Sequence, residues 1–411
     1  MKFDELRKKY EAIVYKSFSC VEDKSEIKIT YLYKLGEYNF SHELVIPKKY
    51  FFKLENMTDK DIFLFNLGLI EIINYYKLAC PKKVILEAGA IKEEQKEFFQ
   101  KLFYKGLGEF RYVNNINISM EEFVEFVNVD ENYYRKSKLK GFEGNIVPIG
   151  GGKDSIVTLE LLKHEKEKNN CLIVNPRGAT IDTVNVAGYN MESTIEIYRK
   201  IDPKLLELNK EGYLNGHVPF SAMLAFLGIF CALITNKQYV ILSNESSADE
   251  STDEETGANH QYSKSMEFEK DFSNYVEKYI NSDIKYFSLL RGMRELDIAR
   301  LFAEHKQYHK IFRSCNVGSK NGGNEWCGSC PKCLFVYIML APYLEKKELV
   351  NIFGKDLLED TELLTYMRQL TGIEKVKPFE CVGTRDEVNE AIDMIIKKYD
   401  EVPTLIKLIK E

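Results

Sequence analysis

The sequence has no excess of basic residues, no low-complexity stretch and no internal repeat. Its 57 lysines and arginines are outnumbered by 63 aspartates and glutamates, and the net charge is -6. This balance argues against a broad nucleic-acid-binding surface. Residues 1–7 are charged and lack the apolar core of a signal peptide, so we expect a cytoplasmic protein. With 411 residues, of which 45% are hydrophobic, the chain is long enough for two or three domains.

Long apolar runs are scarce as well. Residues 218–235 carry no charge over eighteen positions, which is the lower limit for a membrane-spanning helix. This segment contains Pro219, Ser221 and Thr235 and lies between expected strands. We therefore interpret it as a helix buried against a sheet, and we expect no membrane partner.

Cysteine is present in an odd number, nine, and four of the nine are close together: Cys315, Cys327, Cys330 and Cys333. This clustering favours reduced thiols and a metal over disulfides. Four thiolates complete a closed, structural zinc shell. The Cys-x₂-Cys-x₂-Cys core could instead hold an iron–sulfur cluster with Cys315 as fourth ligand, or all four could be free thiols. Zinc is favoured because no redox motif accompanies the cluster.

The pattern of apolar residues predicts three regions. Residues 1–140 read as an α+β domain, for which a role in substrate specificity is our hypothesis, with strands at 27–33, 37–46 and 84–87 and helices at 60–78 and 93–107. Residues 141–342 alternate strand and helix, which predicts an α/β fold with a doubly wound parallel sheet. Residues 343–411 read as largely helical.

In the middle region we predict strands at 146–149, 171–175, 205–208, 239–243 and 285–289. Helices are predicted at 155–167, 190–200, 219–235, 267–280 and 295–305. Ligands of such sheets bind beyond the carboxyl ends of the strands. Polar residues that follow each strand are therefore the first candidates for a site.

Three glycines, Gly150 to Gly152, separate the first of these strands from a helix that opens with Lys153, Asp154 and Ser155. A strand, a glycine turn and a helix N-terminus together form an anion site, usually for phosphate. Asp154 excludes a Walker A loop, which needs Ser or Thr after the lysine. The stretch resembles the Ser-Gly-Gly-x-Asp-Ser loop of PP-loop ATP pyrophosphatases, with Gly150 in place of the first serine. An ordinary glycine turn is the alternative.

Further polar residues lie downstream. Asn244 and Glu245 follow a predicted strand and could hold Mg²⁺ or ATP. His260 and Lys264 lie in Asn-His-Gln-Tyr-Ser-Lys-Ser, where Lys264 could meet phosphate or a carboxylate, although a helix capped by a serine is the simpler interpretation.

Two more segments belong to the same face of the predicted sheet. Arg291 follows the last strand and suits carboxylate or phosphate contacts. His217 precedes a predicted helix and is either a cap or a base.

Taken together, these segments resemble the MurL family. The matching stretches are residues 150–155, 216–219, 243–245, 259–265, 290–291, 295–296, 326–333 and 378–383. The resemblance covers roughly residues 140–385. It implies an ATP-dependent epimerase of UDP-N-acetylmuramoyl-L-alanyl-L-glutamate, which inverts the terminal glutamate during peptidoglycan precursor synthesis and turns ATP into AMP and pyrophosphate.

This resemblance gives each candidate a role. Gly151, Gly152, Asp154 and Ser155 are assigned to the pyrophosphate, with Lys153 assisting by its charge, together with Mg²⁺. Gly150 belongs to the same cofactor-binding loop. Asn175 and Pro176 border the adenosine, and Asn244 and Glu245 hold Mg²⁺ or ATP. His217, His260 and Lys264 are the candidate acids and bases, and Arg291 holds a substrate carboxylate. The expected partner is the UDP-muramoyl dipeptide or another glutamyl carboxylate.

Two other functions remain possible from the sequence. A PP-loop enzyme acting on another carboxylate or on a nucleobase, such as a deazaguanine nitrile synthase or a tRNA thiolase, would share the loop and a similar cysteine knuckle. A regulatory module could bind ATP without turnover. It would leave Asn259–Ser265 and the arginines without a role.

Overall fold

The computed structural model describes residues 3–250, 252, 259–315, 317–318 and 325–410. Within them the chain forms one ten-stranded sheet in the order β10-β9-β6-β7-β8-β3-β2-β1-β4-β5. The strands are β1 Ala12–Glu22, β2 Glu26–Leu35, β3 Tyr38–Pro47, β4 Lys83–Leu86, β5 Glu125–Asn128, β6 Asn145–Pro148, β7 Asn169–Val174, β8 Ile195–Lys200, β9 Tyr239–Leu242 and β10 Lys285–Ser288.

The helices of the first two predicted regions cover the sheet. They are α1 Phe3–Lys9, α2 Lys60–Glu71, α3 Ile73–Tyr76, α4 Glu93–Gly106, α5 Gly108–Val113, α6 Met120–Phe123, α7 Lys153–Leu161, α8 Gly178–Val186, α9 Pro203–Lys210, α10 Phe220–Thr235, α11 Met266–Tyr275 and α12 Glu295–Glu304. The last part of the chain is helical, as predicted. Its helices are α13 Pro331–Leu340, α14 Lys346–Phe353, α15 Leu364–Thr371, α16 Arg385–Lys398 and α17 Thr404–Lys410.

Strands β6 to β10 form the parallel half of the sheet. From β6 the chain first adds β7 and β8 on one side and then returns to add β9 and β10 on the other. Residue Ile146 of β6 packs in the core that contains α10, whereas Val147 packs with Leu159 of α7. Helices therefore cover both faces. The direction in which strands are added to the sheet reverses between β6 and β9, and such a switch point is where these sheets bind ligands.

The N-terminal strands extend the same sheet rather than forming a separate one. β3 pairs antiparallel with β8 through Glu43–Val45. The predicted pairing of residues 27–33 with 37–46 is confirmed as the β2–β3 hairpin. The long first strand, β1, was not predicted. The whole sheet is mixed, mostly parallel, and antiparallel only from β8 to β1.

The prediction was wrong between residues 190 and 210. We expected a helix at 190–200 and a strand at 205–208, but the structure has β8 and then α9. Ile195 and Ile197 alternate with more exposed neighbours, as in a strand. Pro203 occupies the first turn of α9, and the side chain of Asp202 accepts a hydrogen bond from the Lys204 backbone N–H. Proline at this position and an aspartate cap are strong helix-start signals that outweigh the short apolar pair.

Residues 218–235 form the buried helix that we expected. Thirteen of the sixteen residues of α10 are buried, including every residue from Ala225 to Thr235. The helix packs on β6 and β9 and on α2. Among the described residues, no helix has both the length and the apolar character needed to cross a bilayer.

A buried ion pair joins β8, near the middle of the sheet, to helix α2. Arg199 of β8 donates two hydrogen bonds to the carboxylate of Glu71 at the end of α2, with Nε–Oε1 at 2.9 Å and Nη2–Oε2 at 2.7 Å. Burial alone would raise the pKa of Glu71, but the charge of Arg199 outweighs it and holds that pKa well below its usual range. The pair therefore carries both charges in the folded protein at neutral pH.

Removal of one partner should be costly. We expect Arg199→Met to lower the free energy of unfolding by about 3–5 kcal/mol, because it leaves a buried carboxylate without its arginine partner. The double variant Arg199→Met/Glu71→Gln should recover part of that loss. Urea denaturation measures both. Arg300→Ala, at an exposed pair with Glu304, is the matched control and should cost less than about 1 kcal/mol. If Arg199→Met lost less free energy of unfolding than the control, the assignment of Arg199 and Glu71 as a buried ion pair would be contradicted.

Candidate active site

The glycine loop lies at the switch point, between β6 and α7. Gly151 has a φ of +80°, and a Cβ there would lie 2.9 Å from the backbone carbonyl carbon of Ala179. Both facts require glycine. Gly150 has open space where a Cβ would be, so its backbone is accessible to a ligand. The Gly151 carbonyl accepts a hydrogen bond of 2.8 Å from the Arg313 backbone N–H, which fixes the loop against the segment before the cysteine knuckle.

The lysine of the loop points inward. Lys153 is buried, and its Nζ donates to Asp154 at 2.5 Å and to Glu295 of α12 at 2.8 Å. Burial would lower the pKa of Lys153, but the two carboxylates outweigh it and raise that pKa. Burial raises the pKa of Glu295 above its ordinary value, and its Oε2 is buried without a hydrogen-bond partner among the described residues.

The other two polar residues of the loop have different environments. Ser155 Oγ donates to the Gly152 carbonyl at 3.0 Å. One third of the Asp154 side chain is exposed. Burial would raise the pKa of Asp154, but the charges of Lys153, Lys332 and Lys264 lower it. Asp154 is therefore a carboxylate that faces the mouth of the loop.

The residues after the neighbouring strands lie beside the loop. Asn175, with a φ of +51°, accepts a hydrogen bond of 2.8 Å from the Arg199 backbone N–H, so its side chain links the end of β7 to β8, and Pro176 follows it. Asn244 and Glu245 follow β9 and are buried. The Glu245 carboxylate accepts a hydrogen bond from Ser247 Oγ at 2.7 Å.

Arg291 is held by protein acceptors. Its Nη1 donates to the Glu245 carbonyl at 2.8 Å, and its Nη2 donates to the Lys264 carbonyl at 2.6 Å. Its Nε and Nη2 also contact Glu269 of α11 at 3.1 and 2.9 Å. Arg291 thus joins the loop after β9 to the turn that carries Lys264.

A cavity of about 700 Å³ contains three of the four predicted catalytic residues, His217, His260 and Lys264. It is also lined by Glu109 and Cys381. The lining comes from α5, the segment before α10, the turn before α11 and the loop before α16. Residues more than 270 positions apart in the chain therefore meet around one space.

The two histidines of this cavity carry different charges. The rings of His217 and His260 are 4.2 Å apart between centroids, and His260 Nδ1 is 2.5 Å from Glu109 Oε2. Burial would lower the pKa of His260, but hydrogen bonds with Cys381 and Glu109 raise it to about 9. Burial and the nearby charge of His260 lower the pKa of His217 to about 3. At neutral pH His260 is a cation and His217 is neutral.

Cys381 and Glu109 are cavity residues that we did not select from the sequence. Lys264 Nζ donates to Cys381 Sγ at 3.1 Å. Burial would raise the pKa of this thiol, but the charges of Lys264 and His260 outweigh it and lower it to about 6. Cys381 lies in the stretch 378–383 that carried part of the family resemblance, so the sequence offered a reason to select it. Nothing in the sequence distinguishes Glu109.

The glycine loop and the cavity adjoin each other. Lys264 and Lys332 act electrostatically on both Asp154 and Cys381. Gly383, two residues after Cys381, lies against Glu295, with 3.1 Å between Glu295 Cγ and the position that a Cβ would take. The glycine loop and the titratable groups of the cavity are thus neighbours in the fold.

The four cysteines of the knuckle lie together. Their Sγ atoms are 3.3 Å (Cys315–Cys327), 3.7 Å (Cys315–Cys330), 3.6 Å (Cys327–Cys333) and 3.5 Å (Cys330–Cys333) apart. Zn–S bonds of about 2.3 Å in a tetrahedron place sulfurs about 3.8 Å apart, whereas a disulfide needs about 2.05 Å. These residues can therefore hold one zinc ion.

Loss of this metal should affect the site through the fold. We expect the purified protein to hold one zinc per chain by elemental analysis, and Cys330→Ser to lose most of it and to melt at a lower temperature, because the knuckle anchors the segment that contacts Gly151. Cys20→Ser, at a free cysteine in β1, is the control. A Cys330→Ser protein with full zinc content would contradict the ligand set.

Comparison with known proteins extends the resemblance to nearly the whole chain. The MurL N-terminal domain matches residues 4–289, and the MurL C-terminal domain matches residues 311–408. The match therefore includes the N-terminal region before residue 140, which the motifs did not cover.

Three curated relatives are named UDP-N-acetyl-alpha-D-muramoyl-L-alanyl-L-glutamate epimerase. The relative from Xanthomonas oryzae pv. oryzae is 34% identical over 338 residues, covering 81% of this chain and 74% of its own. Those from a Micromonospora species and from Salinispora tropica are 33% and 34% identical, covering 81% and 80% of this chain and 74% and 72% of their own. With both domains matched and relatives of this identity over four fifths of its length, the chain belongs to the MurL family of epimerases.

Proposed function

We propose that this chain converts the terminal L-glutamate of UDP-N-acetylmuramoyl-L-alanyl-L-glutamate to D-glutamate, and that it cleaves ATP to AMP and pyrophosphate to do so. The observation that carries the proposal is the junction between the glycine loop and the cavity of acid–base groups. The names of the relatives supply the substrate. Nine cysteines without a disulfide suit a reducing compartment, so we place the reaction in the cytoplasm.

The chemistry explains why both parts are needed. Removing the α-proton beside a free carboxylate would add negative charge to an existing anion. Adenylation of that carboxylate neutralises it and lets the carbonyl oxygen take up the charge of an enolate. The proton can then be removed on one face and restored on the other, and hydrolysis releases AMP.

The glycine loop is proposed as the site of adenylation, and its type is proposed to be that of the PP-loop enzymes. Backbone N–H groups of Gly150 to Gly152 and the N-terminus of α7 would hold the pyrophosphate, with Ser155 beside them. Asp154, exposed at the mouth, and Glu245 are the carboxylates that would hold Mg²⁺, which supplies charge neutralisation for the phosphates. Lys153 holds the loop in position by its ion pair with Glu295. Asn175, Pro176 and Asn244 would border the nucleotide.

The cavity is proposed as the site of proton transfer. Lys264 and His260 are both held as cations, so they can stabilise the negative charge that develops on the enolate. His217 stays neutral beside them. Arg291 is a positioning residue for the Lys264 turn, and contact of its guanidinium with a substrate carboxylate would require exchange of its bond to Glu269.

A substitution at Asp154 tests the adenylation site. We expect Asp154→Asn to lower dipeptide-dependent pyrophosphate release at least about 100-fold, because the carboxylate that holds Mg²⁺ at the loop is lost. Asp130→Asn, at an exposed position outside the site, is the control and should match the wild type. Unchanged release in Asp154→Asn would contradict the loop assignment.

The identity of the substrate is tested with the wild-type protein. AMP should form only with the muramoyl dipeptide present, and in D₂O the product should carry deuterium at Cα of glutamate. AMP formation with a nucleobase or another glutamyl compound instead would overturn the substrate. AMP formation without deuterium uptake would overturn the epimerase chemistry.

A further inference from the structure

Cys381 is fixed at the wall of the cavity by three side chains that bind its loop. Lys332 Nζ donates to the Cys381 carbonyl. Gln261 Nε2 donates to the Val382 carbonyl at 3.1 Å, and Lys377 Nζ donates to the Gly383 carbonyl at 2.8 Å. Such anchoring of three consecutive carbonyl groups, the first that of Cys381 itself, places its side chain in a defined position, as an active-site group requires.

The thiol faces positive charge from two of the elements around it, the turn before α11 and helix α13. Lys264, on the turn before α11, lies 3.1 Å from Sγ. His260 forms a hydrogen bond with the same sulfur, and Lys332 of α13 adds a third charge. Glu109, which faces this group from α5, is engaged with His260. Cations around a half-exposed sulfur are the usual setting of a reactive thiolate.

The cysteines outside the metal knuckle provide a comparison. Burial raises the pKa of Cys20 and Cys80 to about 11, that of Cys171 to about 12, and that of Cys231 further. Only Cys381 among these five has its pKa lowered, and only Cys381 lines the cavity that adjoins the glycine loop.

We propose that the Cys381 thiolate is the base that removes the Cα proton of the glutamyl residue. The inference rests on the proposed function, because only an adenylated carboxylate makes that proton acidic enough. The Cα–H bond breaks, an S–H bond forms, and the electron pair passes into the enolate. A proton from solvent in the cavity then forms the new Cα–H bond on the opposite face, and the thiol returns its proton to solvent.

The other titratable groups of the cavity do not fill this role as well. Lys264 and His260 are protonated at neutral pH and cannot accept a proton. His217, with a pKa of about 3, is a weak base. A thiolate with a pKa near 6 is about ten-to-one deprotonated at pH 7 and still basic enough to accept the proton. Lys264 and His260 then act as positioning residues that keep the sulfur charged and stabilise the enolate.

The test separates proton transfer from adenylation. Cys381→Ser keeps the side-chain size but removes the thiolate. We expect deuterium uptake at Cα, measured in D₂O, to fall at least about 100-fold, while pyrophosphate release in the first turnover falls less than about tenfold, since adenylation precedes proton transfer. Cys20→Ser, at a half-buried cysteine outside the cavity, should match the wild type in both assays.

The outcomes distinguish the two proposals. Deuterium uptake in Cys381→Ser at the wild-type rate would overturn the role of Cys381 and leave adenylation intact. Absence of dipeptide-dependent pyrophosphate from the wild type would instead overturn the proposed function.

A second measurement uses the wild-type protein and does not depend on the folding of a variant. Inactivation by iodoacetamide should accelerate with pH around a midpoint near 6, because the thiolate is the nucleophile. Lys264→Met should move this midpoint upward, since it removes the nearest cation. ATP with the dipeptide should protect. A wild-type midpoint at the ordinary thiol pKa of about 8.5 would contradict the proposal.

Discussion

The buried ion pair between Lys153 and Glu295 is the interaction on which the site depends. It joins the first residue of α7, directly after the glycine loop, to the first residue of α12. The side chain of Glu295 also lies against Gly383, so the loop that carries Cys381 packs on the same residue. A buried charge pair is expensive to form and very costly to break on one side. It therefore fixes the distance between the glycine loop and the cavity rather than adding much stability.

Charge links the two halves of the site. Lys264 and Lys332 each act on Asp154 at the loop and on Cys381 in the cavity. The proposed adenylation and proton-transfer steps thus use the same two cations. This sharing suits a reaction in which the carboxylate activated at the loop is attached to the carbon that loses its proton. The two sites must lie within the length of one glutamyl residue, and the lysines provide positive charge along that path.

Local patterns in the sequence predicted the local features of the structure. The glycine turn, the cysteine knuckle, the β2–β3 hairpin and helix α10 each depend on residues close together in the chain. The error at residues 190–210 came from reading a short apolar pair as a strand and overlooking Pro203. Partners that lie far apart could not be predicted. The residue that binds Lys153 is 142 positions away, and Glu109 and Cys381 meet His260 only because α5 and the C-terminal loop fold over the turn before α11.

Transfer of oxygen between the two substrates tests the central claim most directly. The terminal carboxylate of the dipeptide would be labelled with ¹⁸O and incubated with ATP and the protein, and the AMP would be analysed by mass spectrometry. If the carboxylate is adenylated and the acyl-adenylate is then hydrolysed at its carbonyl carbon, one labelled oxygen remains on the phosphate of each AMP. AMP that forms without the label would contradict the acyl-adenylate, and with it the account of how the loop and the cavity work together.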